Sequence, residues 1–320
     1  MRRVGWAWVS VALMLAGCAP EYRVETVGAA AKDYHPVNVV YFKSDAPQVH
    51  EPALSDFTVR CDTPGVQVEV VGWKHGKVRR PQPQRPLSIL IAWDQSSSLS
   101  ETDPERKRFP AGQRLVQDLP ASARLGLVNF ASLGLDYGDY DVRAPMGSSK
   151  ARILQELECL NQSDFSAHGT PLWNTLCDAI PRMLAHEPPE RERWVVLFTD
   201  GQNDTPVPSR SEYDALRTAQ QHRVRLVFVF LGNEQSIPRY AEVHQTLEYL
   251  ANATGGAVVA VEQAQDLREA FGSVLDILEY APCYHLHLRV RKAGGFRQGE
   301  QLTLRVRLAM GNERVMRIRL

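Results

Sequence analysis

The chain has 320 residues, 44 % of them hydrophobic, and its 37 basic side chains balance 37 acidic ones. A nearly neutral chain gives no electrostatic case for a nucleic-acid partner, because such binding draws on Lys and Arg neutralising phosphates. After the first residues no stretch is long and apolar enough to span a membrane as a helix.

Arg2 and Arg3 precede a mostly apolar run from Val4 to Gly17, the outline of an export signal. The run is too short for a comfortable membrane span. It ends Leu15-Ala16-Gly17-Cys18, which resembles the lipobox of bacterial lipoproteins. That resemblance implies cleavage before Cys18, lipidation of Cys18 and attachment to a membrane, with several acyl chains anchoring more firmly than one. The alternatives are a plain signal peptide with an incidental cysteine, or a short membrane anchor. Ala19 lacks the aspartate that would resemble an inner-membrane retention signal, so in a Gram-negative host the expected place is the outer membrane facing the periplasm. Loss of residues 1–17 removes two arginines and no acid, which leaves the exported chain slightly negative.

Residues 18–35 are polar with small residues and read as a tether. Residues 36–80 then change character. Val37–Phe42, Phe57–Cys61 and Val66–Val71 are rich in β-branched and aromatic residues and read as strands. Pro81, Pro83 and Pro86 punctuate the entry to the next region.

Over residues 86–281, buried strands are expected at Leu87–Trp93, Arg124–Phe130, Trp194–Thr199, Val224–Leu231 and Ala257–Val261. Helices are expected at Pro104–Leu119, Lys150–Leu160, Pro171–Leu184, Ser211–His222, Arg239–Ala253 and Ala264–Glu279, with Pro110 and Pro181 kinking or shortening two of them. The alternation predicts an α/β fold, a doubly wound, mostly parallel sheet, with a short antiparallel edge strand between Asp136 and Ala144. Residues 283–320 return to one-sided strands, and the expectation is that they pack with residues 36–80 into a small β-sandwich. Two separate β flanks are the alternative.

Five oxygen-bearing residues stand where this pattern gives them chemistry. Asp94, Ser96 and Ser98 follow the first buried strand, Thr170 lies in Gly169-Thr170-Pro171-Leu172, and Asp200 ends the apolar run Trp194–Thr199 before Gly201. Hydroxyl and carboxylate oxygens are hard donors that suit Mg²⁺, Mn²⁺ or Ca²⁺. Each piece alone is an ordinary Ser-rich turn, helix cap or Asp-Gly turn. Together, D-x-S-x-S, a distant G-T-P-L and T-D-G after a strand resemble the metal-ion-dependent adhesion site of von Willebrand factor type A (VWA) domains, over roughly Pro86 to Tyr280. The resemblance implies Asp94, Ser96, Ser98, Thr170 and Asp200 as metal ligands, Mg²⁺ as the favoured ion, and a protein partner whose Asp or Glu completes the metal shell.

Four cysteines remain after Cys18. Cys159 and Cys177 flank the Thr170 loop, and Cys61 and Cys283 flank the whole region, so the expected disulfides are Cys159–Cys177 and Cys61–Cys283, with reduced core cysteines as the alternative. His285 and His287 share one strand face and read as solvated residues rather than a second metal site. His168, two residues before Thr170, is the candidate base for a hydrolase, and the preferred reading is a loop residue. The sequence therefore predicts a lipid-anchored envelope protein that binds a protein partner. A metal-dependent hydrolase is the first alternative, although no G-x-S-x-G elbow or P-loop pattern is present. A structural envelope protein with a loop-stiffening metal is the second.

Overall fold

The computed structural model describes residues 25–26, 35–80, 85–135, 138–165, 169–201, 203–204 and 210–320. In chain order the strands are β1 (Glu25–Thr26), β2 (His35–Phe42), β3 (Phe57–Cys61), β4 (Val66–Arg79), β5 (Leu87–Asp94), β6 (Arg124–Leu135), β7 (Gly138–Ser148), β8 (Glu192–Thr199), β9 (Val224–Leu231), β10 (Ala257–Val261), β11 (Tyr280–Lys292), β12 (Gln301–Leu308) and β13 (Arg314–Arg319). The helices are α1 (Leu99–Thr102), α2 (Arg108–Asp118), α3 (Lys150–Gln162), α4 (Leu172–Ala179), α5 (Glu212–Gln221), α6 (Tyr240–Thr254) and α7 (Leu267–Glu279). Two compact units result: Gln82–Tyr280, and a discontinuous unit of residues 1–81 with 281–320. Cys18, the lipobox and His168 lie outside the described residues. Among the described residues no helix is long and apolar enough to cross a membrane.

The Gln82–Tyr280 unit is an α/β layer structure. Its sheet has the order β10-β9-β8-β5-β6-β7, parallel throughout except for the β6/β7 pair. Near-continuous apolar strands bury both faces, as a parallel sheet requires. One face packs against α2, α3 and α7 around Trp93, Phe109, Phe198 and Phe271. The other packs against α4, α5 and α6 around Leu172, Leu176, Phe228 and Phe230. The first expected helix starts late, at Arg108, and Pro110 occupies its first turn, where its missing N–H leaves no bond unmade. Pro181 acts differently: α4 ends at Ala179 and the chain continues as a wider π turn over Ile180–Leu184. Helix α6 stops where Gly255 takes φ +78, a left-handed conformation that glycine adopts without a Cβ clash. The antiparallel edge strand β7 is longer than its composition predicts, 11 residues.

Cys159 and Cys177 do not form the expected disulfide; both are free thiols. Cys159 is exposed on α3, which covers one face of the sheet, and Cys177 is buried on α4 against the other. The sheet stands between them.

The discontinuous unit is a β-sandwich. Sheet β1-β2-β11-β4 faces sheet β13-β12-β3. Tyr41, Tyr284 and Leu286 from the first meet Leu304, Val306 and Ile318 from the second in one apolar core. Glu25–Thr26, within the run read as tether, pairs as a two-residue edge strand with Asn38 and Val37. Strand β4 runs through Gly72 and Gly76 to Arg79, past the expected end at Val71. Gly76 permits this, because a Cβ there would stand 2.0 Å from the ring of His285. Cys61 and Cys283 are also free. Successive residues of a strand point to opposite faces. Tyr284 turns into the sandwich core with Cys61 beside it, whereas Cys283 turns away into a separate cluster with Val40 and Phe42. Burial pushes the Cys283 thiol up to about 12.

Candidate metal centre

Strands β5 and β8 are parallel neighbours in the middle of the sheet, with Trp93 opposite Phe198. Where crossovers leave a parallel sheet in opposite directions, a crevice opens beyond the carboxyl ends of the central strands. Asp94 closes β5 and Thr199 closes β8, so Asp94, Thr199 and Asp200 meet at that end. Trp93, one residue before Asp94, lies among Phe109, Phe198 and Phe271 at ring-centroid distances of 5.6, 5.3 and 5.7 Å. Gly112 of α2 makes room for it, since a Cβ there would sit 2.3 Å from the Trp93 ring. That packing fixes the direction in which β5 delivers Asp94.

Each carboxylate is then oriented by short hydrogen bonds. The Ser96 N–H donates to Asp94 Oδ1 at 2.8 Å, and the Thr199 hydroxyl donates to Asp94 Oδ2 at 2.5 Å. The Ser98 hydroxyl donates to Asp200 Oδ1 at 2.8 Å, and the Thr102 hydroxyl donates to Asp200 Oδ2. Ser96 Oγ and Ser98 Oγ are 3.1 Å apart. Thr170 forms an isolated antiparallel bridge with Asp204, its N–H donating to the Asp204 carbonyl at 2.5 Å. Its Oγ1 would stand 3.3 Å from a Cβ on Gly201, so the glycine after Asp200 admits the Thr170 side chain. Asp94, Ser96, Thr170 and Asp200 are buried, while Ser98 is exposed and marks the open side.

Burial in the crevice raises Asp94 to about 7 from an ordinary 3.8, and the charge of Asp200 adds to that rise. Burial also raises Asp200, against the hydrogen bonds from Thr102 and Ser98. Two carboxylates and three hydroxyls with this demand for positive charge suit a hard dication, and they offer no nitrogen or sulfur donor. Among the described residues no group of three or more His, Cys, Asp or Glu side chains could hold a metal by itself. His287 instead bonds Asn38 through Nδ1 at 2.6 Å.

A layer beneath these residues has little local signature in the sequence. Arg108 and Asp103 form a fully buried ion pair at 2.8 Å. Arg108 also donates to Gln95 Oε1 at 3.3 Å, and Gln95 Nε2 donates to the Leu160 carbonyl and to Ser163 Oγ, both at 3.1 Å. Arg106 donates to the Ser163 carbonyl at 2.8 Å. The end of β5 is thereby tied to the end of α3. On the opposite side, Asn203 Oδ1 accepts from the Trp173 N–H at 3.1 Å, tying the segment after β8 to the first turn of α4. Thr102 was detectable, because it follows Ser98 by four residues and a helical turn puts both hydroxyls on one side. Thr199 precedes Asp200 and needs only the β5/β8 pairing to reach Asp94. Arg108, beside Phe109 in an ordinary helix, carries no such sign.

No family model matches this chain, and no curated protein matches it. Among solved structures, the chain is similar to proximal thread matrix protein 1 from the mussel byssus, at 18 % identity and TM-score 0.49, covering 61 % of this chain and 48 % of that one. A structure of the same mussel protein has a zinc-occupied MIDAS motif, at 17 % identity and TM-score 0.46 over 61 % of this chain and 48 % of that one. A von Willebrand factor type A protein from Catenulispora acidiphila is similar at 14 % identity and TM-score 0.48, over 82 % of this chain and 72 % of that one. The pilus adhesin SpaC from Lactobacillus rhamnosus GG is similar at 13 % identity and TM-score 0.47, over 82 % and 48 %. The chain thus spans about half the length of the mussel protein and of the adhesin.

Proposed function

We propose that this chain is an exported binding protein of VWA type, held at the bacterial envelope through Cys18, whose α/β unit captures an acidic side chain of a protein partner. Asp94, Ser96, Ser98, Thr170 and Asp200 would hold a divalent cation, with Mg²⁺ favoured. A bound dication would offer an outside carboxylate a strong positive charge and an exchangeable coordination position. The protein's own residues supply the rest. Ser96 N–H and Thr199 orient Asp94, and Ser98 and Thr102 orient Asp200. Three of the five donors are neutral hydroxyls, so they leave much of the cation's charge for the partner. The observation that supports this reading is that two buried aspartates, Asp94 and Asp200, stand at the carboxyl ends of β5 and β8 with Ser98 bonded to Asp200 and Ser96 beside Ser98, while Thr170 lies against Gly201.

The test is an affinity pulldown from host envelope with soluble protein starting at Ala19, run with Mg²⁺, with chelator, and with Asp94→Ala. The expected result is a partner retained by the wild type with Mg²⁺ alone. A partner held equally in all three arms would remove the metal from recognition.

A further inference from the structure

The β-sandwich carries a charged surface that the metal reading leaves unused. Strands β12 and β13 turn leucines and other apolar residues into the core, so alternation turns Arg305, Arg307, Arg317 and Arg319 outward. Arg60 of β3 joins them, directly opposite Arg305 in register. Like charges directly opposite weaken a sheet. Arg305 is neutralised by Asp62 at 2.9 Å and Glu313 at 3.1 Å. Among the described residues Arg60, Arg307, Arg317 and Arg319 form no ion pair, and all four are exposed.

The same hairpin exposes apolar side chains. Met310, at its turn, is 92 % exposed, and Val315, across from Arg305, is 49 % exposed. Leu54 is exposed near the same end, since the Ala309 N–H donates to the Asp56 carbonyl at 2.7 Å. A basic face that also exposes apolar side chains matches a surface that is anionic outside and apolar beneath.

We propose that the outer face of β13-β12-β3 docks on the anionic phospholipid surface of a membrane. A soluble polyanion would use the arginines but not Met310 or Val315. The choice of occupant also rests on the proposed anchoring, because β2, the first long strand after Cys18, belongs to this same unit.

The test uses the unlipidated chain from Ala19, which keeps every described residue, in chelator so that the metal reading plays no part. Cosedimentation is measured with phosphatidylcholine vesicles carrying phosphatidylglycerol and with pure phosphatidylcholine. Binding is expected only to the former, weakening as salt screens the charges. Each arginine should contribute about fivefold, so Arg307→Gln/Arg317→Gln/Arg319→Gln together should lose about a hundredfold. Arg317→Gln alone should lose about fivefold, which keeps the test decisive if the triple variant misfolds. Arg114→Gln/Arg217→Gln/Arg268→Gln, on helices of the other unit, should bind as the wild type does. Equal binding to neutral vesicles, or no binding to either, would overturn the proposal. So would an unaffected arginine variant, or capture by soluble polyphosphate without vesicle binding.

Discussion

Asp94 and Asp200 enter one buried crevice, and burial resists ionisation of both. The consequence is a pH dependence with a definite sign. Asp94 has a folded value of about 7 against an ordinary 3.8, so the folded chain holds that proton more tightly than the unfolded chain. Protonation at Asp94 therefore favours the metal-free fold at low pH. That contribution is lost as pH rises through about 7, and little further changes above it. A cation needs the carboxylate, so apparent Mg²⁺ affinity should rise by up to about tenfold per pH unit and level off above about 7. Calorimetric Mg²⁺ titration across this range checks it, and affinity independent of pH would contradict it. At this scale the hydroxyl and carboxylate types were legible in the sequence because each sits beside a recognisable strand end or turn. Thr102 is marked only by its four-residue spacing from Ser98, and Thr199 only by the β5/β8 pairing, because orienting a ligand leaves no mark in residue type alone.

At the scale of elements, the crevice depends on α2 starting where it does. Asp103 accepts from the Lys107 N–H at 2.7 Å and the Arg108 N–H at 3.2 Å, so one carboxylate opens the helix and neutralises the buried guanidinium. Burial holds Arg108 below its ordinary value, opposed by Asp103. Removing one partner of a buried pair leaves the other charge uncompensated. Arg108→Leu should therefore cost about 3–5 kcal/mol, measured by denaturant unfolding of the Mg²⁺-free protein. A cost below about 1 kcal/mol would show that the pair is solvated, as surface ion pairs are. The helix and strand types were readable from apolar periodicity. The fully buried Arg108 was not, because an Arg beside Lys107 in a charged stretch normally reads as a solvent face.

Among the described residues the α/β unit packs an apolar layer on each face of its six-stranded sheet, and the other unit packs a core between the two sheets of the sandwich. Leu304 is fully buried in that sandwich core. Leu304→Ala should destabilise the sandwich by about 2–5 kcal/mol and leave Mg²⁺ affinity unchanged, because the five proposed metal ligands all belong to the other unit. Scanning calorimetry with parallel Mg²⁺ titration checks both halves of that statement. The sequence by itself determined the α/β class, since alternating apolar runs and helical stripes have periods that single elements impose. It could not decide the partners of β2, β3 and β4, because one-sided strands carry a face but not a neighbour. It also misjudged the cysteines. Spacing brings Cys159 near Cys177 along the chain, yet a sheet passes between them, and strand alternation turns Cys61 and Cys283 to different sides. Which residues share a crevice, and which are kept apart by a layer of backbone, is settled by long-range pairing that no local pattern encodes.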